Sequence, residues 1–98
     1  MKEAKEIRKD LRQIRYYYTR IQNKCVGTKV GVLNAIEELV QKYNAAIKNA
    51  PVQSYDLYCA MYIEGNTLDD LADKWGFDRS TMHKYHKALV AYLQSKID

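Results

Sequence analysis

The chain has 98 residues, 47% of them hydrophobic and 29% charged, with one proline and two cysteines. That is enough to bury a modest core without staples, and the mixture is ordinary for a helix-rich soluble protein. Charge is spread through Met1 to Arg20, unlike a secretory signal, and no apolar run approaches the ~20 residues of a membrane span, so the expected location is the cytoplasm. Net charge is +4 and unevenly placed: nine basic and three acidic residues in 1–29, five basic and seven acidic in 51–98.

The first predicted helix runs from about Lys2 to Lys24. Ala4, Ile7, Leu11, Ile14, Tyr18, Ile21 and Cys25 recur at alternating spacings of three and four, a heptad seam. Its remaining faces are charged, and its basic excess is a candidate source of sequence-independent phosphate attraction. The alternative is that these charges only solvate an exposed face. Cys25-Val26-Gly27-Thr28-Lys29 is the expected break.

A second helix is expected from Val30 to Ala50, with Leu33, Ile36, Val40, Tyr43 and Ile47 on one side. Two such helices fold back as a hairpin or pair with another subunit; both arrangements stay open. Pro51 ends the helix, because proline disfavours helical geometry in the residue before it. The third helix spans Val52 to Ile63, with Tyr55, Tyr58, Cys59, Tyr62 and Ile63 as its apolar side. Their helical spacing favours packing beneath the following helices over stacking on bases.

Thr67 to Tyr85 reads as a helix-turn-helix. Thr67 and Asp70 have capping-box spacing. Leu68, Leu71, Ala72 and Trp75 share a face, and Ala72 is small where two helices cross. Gly76 suits the left-handed residue that ends a helix, and Asp78 suits the N-cap of the next. In that helix, from Arg79 to about Ser95, Met82, Tyr85, Leu89, Val90, Tyr92 and Leu93 face inward. Arg79, Ser80, Thr81, His83, Lys84 and Lys87 face outward, the arrangement needed to lay one helix in a DNA major groove. Arg79 would meet guanine edges or phosphate, Ser80 and Thr81 bases or backbone, His83 and Lys84 the groove, and Lys87 phosphate. From Arg79 to Ile97 there are four basic residues, two histidines and no carboxylate. The expected fold is all-α: a helical hairpin or coiled-coil segment over 1–50, then a three-helix helix-turn-helix domain over 51–98.

The run Met61-Tyr62-Ile63-Glu64-Gly65-Asn66-Thr67-Leu68-Asp69-Asp70-Leu71-Ala72 resembles the RY-x-EG-x-T-x-EEIA signature of region 4 of sigma-70-type factors. Gly76-Phe77-Asp78-Arg79-Ser80-Thr81-Met82 is similar to the start of their recognition helix. The resemblance covers about residues 51–97, with Met61 in place of the usual arginine. The whole chain is similar in plan to small phage regulators of Gram-positive bacteria. The resemblance implies a transcriptional regulator in a bacterial host cell, encoded by a phage or prophage. Such a protein binds double-stranded promoter DNA, and its length suits an activator that also touches RNA polymerase.

No serine–histidine–acid arrangement and no glycine-rich phosphate loop is present, and Cys25, Cys59, His83 and His86 lack zinc-site spacing. The expectation is no enzyme, no cofactor and no metal, with buried free thiols and solvated or DNA-facing histidines. A homodimer or larger assembly through the N-terminal seam is expected, since one recognition helix reads few base pairs. Two rival functions remain: a phage DNA-packaging subunit resembling a small terminase, and a protein–protein adaptor using the acidic face of Asp69, Asp70 and Asp73.

Overall fold

The computed structural model describes residues 2–23 and 30–97, apart from the side chains of 21–23 and 30–34. These residues form five helices and no strand. They are α1 (Ala4–Asn23), α2 (Val30–Ile47), α3 (Val52–Tyr58, continued by a π-helical turn over Cys59–Ile63), α4 (Leu68–Trp75) and α5 (Arg79–Lys96). The expected break at Cys25–Lys29, and the seam and core positions Ile21, Cys25 and Leu33, lie outside what is described.

The apolar stripe of α1 organises the core. Ile7, Leu11 and Ile14 each expose 0% of their surface. They pack within a single cluster that also holds Val40, Tyr43, Leu57, Met61, Leu71, Met82, Leu89 and Leu93. Helix α1 lies against the π-helical turn, α2 and α5. These three positions are therefore covered by the same chain and have no surface left for a second copy.

Polar groups in this core are paired. Asp10 Oδ2 accepts from Lys2 Nζ at 2.6 Å and from Tyr43 Oη at 2.7 Å. Burial and the neighbouring carboxylate push the Tyr43 phenol far above its ordinary pKa, so it stays a neutral donor. Tyr58 donates to Asn44, which donates to Tyr18, at 2.8 and 3.0 Å, linking α3, α2 and α1. Tyr92 donates to the Ala46 carbonyl at 2.8 Å and ties α5 to α2. Cys59 is a free thiol, half-buried, and burial pushes its pKa up, so it holds its proton at neutral pH.

The third helix buries Tyr58 and Tyr62 and half-buries Cys59 and Ile63 as its periodicity predicts, but the buried side also takes in residues the periodicity left out. Ser54, Leu57, Tyr58, Ala60, Met61 and Tyr62 are buried, while Tyr55 is exposed. The π-helical turn widens the buried side at its C-terminal end. The Glu64 N–H reaches back to the Cys59 carbonyl, inserting an extra residue per turn, so Ala60, Met61 and Tyr62 all turn inward in succession. Met61, where the resembling family has arginine, thus joins the core.

Helix α4 begins as its residues require. The Thr67 side chain accepts from the Asp70 N–H at 3.1 Å, and the Asp70 carboxylate accepts from the Thr67 N–H at 3.2 Å. Those bonds hold the Asp70 pKa below its ordinary value. It ends on Gly76 at φ +72°, a backbone state that costs other L-residues ~1 kcal/mol or more. Leu71 and Ala72 are buried. Trp75 departs from expectation and is exposed, as is Phe77 two residues on. Helix α4 has only eight residues, and its last one, Trp75, lies beyond the buried pair Leu71 and Ala72. Asp78 has the extended backbone of an N-cap, but its side chain accepts no capping bond.

Leu11→Ala is expected to destabilise the chain by about 2–5 kcal/mol, the range for emptying a tightly packed leucine site. Urea denaturation followed by circular dichroism and by Trp75 fluorescence checks it. Because α1 shares its core with α5, the two signals are expected to be lost together, at a lower midpoint than wild type. Gly76→Val is expected to destabilise more than Gly76→Ala. No atom lies within 4 Å of an added Cβ, so the penalty comes from the positive φ, which a β-branched residue tolerates least.

Candidate nucleic-acid interface

The first half of α5 follows from Gly76 and Asp78, which turn the chain and restart it as a helix at Arg79. Met82, Leu89, Val90 and Leu93 are buried and fix the rotation of this helix. That rotation leaves Arg79, Ser80, His83, Lys84 and Lys87 exposed, at spacings that place them on one face. Thr81 is half-buried and sits at the flank of that face. Five of the six positions picked out from the sequence are therefore brought together.

Arg79 is not free. Its Nε lies 3.2 Å from Oδ1 of Asp69 on α4, and both side chains are well exposed. An exposed pair of this kind contributes about 0–1 kcal/mol, so a phosphate or guanine can displace Asp69 at little cost. The acidic patch of α4 is also partly occupied: Asp69 holds Arg79, and Asp70 is spent on the helix cap.

The basic excess of α1, named from the sequence as a candidate source of phosphate attraction, takes on specific residues in the structure. Arg8, Arg12 and Arg15 are spaced i, i+4, i+7 and form one stripe. All three lower the pKa of Tyr62, and Arg8 also lowers that of His86 on α5. The three arginines thus lie close enough to Tyr62 for their charge to act on it, and Arg8 acts on His86 of α5 as well. Arg15 further donates to the Gly65 carbonyl at 2.9 Å, pinning α1 to the turn before α4. Lys74 holds the same turn through Asn66 Oδ1 at 2.8 Å. The arginine spacing was the available signal, but only the packing shows which neighbour the stripe meets.

His86 is corrected by the structure. It is half-buried rather than solvated, and its Nε2 lies 2.6 Å from the Tyr62 hydroxyl. Burial pushes the Tyr62 phenol up to about 12, against the pull of the three arginines. Burial, Arg8 and His83 push His86 down. The pair at neutral pH is therefore a phenol donating to a neutral imidazole, with the imidazole proton on Nδ1. Its location between α1, the π-helical turn and α5 makes it a structural latch beneath the basic face.

Among the described residues no group of His, Cys, Asp and Glu could hold a metal ion, and no helix is long and apolar enough to cross a membrane. No protein-family model matches the sequence, and no curated protein or solved structure is significantly similar to it.

The latch sets a pH dependence. The folded chain disfavours His86 protonation, whereas the unfolded chain accepts it near the ordinary value of 6.5. The unfolded state then binds more protons, and stability falls as pH drops from the unfolded pKa toward the lower folded one. Melting temperature is expected to decline between about pH 7.5 and pH 5 in wild type and to decline less in His86→Gln. Equal slopes for the two proteins would remove His86 as the cause.

Proposed function

We propose that this chain is a sequence-specific binder of double-stranded DNA that places the first half of α5 in the major groove. It would act as a transcriptional regulator of phage or prophage origin in the cytoplasm of a bacterial host. The observation that carries this reading is a single face built from Arg79, Ser80, His83, Lys84 and Lys87, flanked by the α1 stripe of Arg8 and Arg12. Base edges demand short polar and basic side chains on a helix rigidly backed by core, and phosphates demand cations on either side. The resemblance of residues 51–97 to region 4 of sigma-70-type factors supports the same assignment, including a helix-turn-helix at Thr67–Tyr85. RNA polymerase is the partner that this resemblance adds.

One recognition helix carries little sequence information, so the reading calls for a second copy or a partner on neighbouring DNA. A homodimer would need a surface other than the α1 seam, since Ile7, Leu11 and Ile14 are spent inside the chain. The same burial removes that seam as the ring-forming surface of a DNA-packaging subunit. The adaptor reading loses two of its three acidic residues to internal partners.

Selection of bound duplexes from a random pool tests the reading. A common motif of a few base pairs is the expected result, and an unenriched pool would contradict it. Arg79→Ala and Lys84→Ala are expected to weaken binding of the selected duplex without lowering the melting temperature. If Arg79 meets a base, its loss should cost about 1–3 kcal/mol and relax one position of the motif. Arg8→Ala/Arg12→Ala is expected to weaken all duplexes alike and to flatten the salt dependence by roughly one unit of slope per lost phosphate contact.

A further inference from the structure

An open groove of about 300 Å³ lies between the start of α3 and the turn joining α4 to α5. It is lined by Gln53, Asp56, Trp75, Phe77 and Tyr85. The rings of Phe77 and Tyr85 stand 5.7 Å apart at 89°, forming two perpendicular walls. Trp75 adds a third aromatic surface, and it keeps 38% of its area in water while Phe77 keeps 44%. Large aromatic side chains left together at a concave surface mark a binding site more often than isolated exposed ones do. The volume is at the small end for ligand sites, which suits one compact head group rather than a helix.

The charge of the groove selects its occupant. Aromatic faces are electronegative, and the Asp56 carboxylate on the rim has no ion-pair or hydrogen-bond partner among the described residues. Among the described residues, Asp56 is the one charged residue in the lining. The Asp56 carboxylate disfavours an anion here, and a neutral apolar group would leave its charge unbalanced. A cation with an apolar shell satisfies both the rings and the carboxylate.

We propose that this groove binds an alkylammonium cation, its methyl or methylene groups packed on Trp75, Phe77 and Tyr85 and its charge balanced by Asp56. The chemistry is that of a quaternary ammonium solute or of a lysine side chain, methylated or not, on another protein. The proposal does not depend on DNA binding, because the groove has the opposite charge to the face described above.

Trp75 is the only tryptophan, so its fluorescence reports directly on the groove. Wild type is titrated with choline chloride and with its uncharged carbon isostere, dimethylbutanol, at matched ionic strength. Saturable choline binding, at least roughly tenfold tighter than the isostere, is expected. Asp56→Asn and Phe77→Ala should each weaken choline binding several-fold while leaving the helical circular dichroism intact, since both side chains are exposed. A second pair of probes, acetyl-lysine amide and acetyl-norleucine amide, separates the sources. Preference for the lysine compound assigns the site to a protein partner, and a response to choline alone assigns it to a free solute. Equal responses to choline and dimethylbutanol, an unsaturable choline signal, or undiminished binding in Asp56→Asn would overturn the proposal.

Discussion

Seating of Ile7, Leu11 and Ile14 on the π-helical turn and α5 is the interaction on which the rest of this structure depends. It removes the most apolar stripe of α1 from water, at a gain of about 1.5–3 kcal/mol for each large side chain fully buried. A helix anchored along one face has its other faces fixed in direction. With the apolar stripe turned inward, Arg8, Arg12 and Arg15 stand beside Tyr62 and His86. Three cations of α1 thereby come to lie near the half of the chain that has a net acidic balance.

That placement resolves a tension in the charge distribution. Taken alone, residues 51–98 carry more carboxylates than cations and make a poor polyanion binder. The carboxylates are concentrated before α5, where they cap α4, hold Arg79 and line the aromatic groove. The cations of α5 and α1 are gathered elsewhere. The Tyr62–His86 hydrogen bond lies between the elements that carry the basic surface, which ties the alignment of that surface to the integrity of the core.

Much of this was legible in the residues. The limits of α4, its capping box, the left-handed Gly76 and the inward set of α5 follow from local chemistry that needs no tertiary context. The outward positions of α5 followed as the complement of its buried ones, Thr81 excepted. What escaped was what depends on packing between distant segments. The π-helical turn brings Ala60 and Met61 inward beside Tyr62, and no periodicity argument anticipates it. Trp75 and Phe77 look like core by composition, yet α4 ends too soon to cover them. His86 looks like a surface histidine until Tyr62 is placed opposite it. The α1 seam is equally compatible with self-association and with internal burial; Ile7, Leu11 and Ile14 take the second course.

The central claim is that α1 and α5 present one continuous anion-binding face. Amide chemical-shift mapping of the labelled chain with a mixed-sequence DNA duplex at low salt tests it most directly. The account expects perturbations at Arg8–Arg15 and at Arg79–Lys87 in the same titration, with the same apparent affinity, and their joint collapse as salt is raised. Perturbations confined to one helix, or centred on the aromatic groove around Trp75, would contradict it.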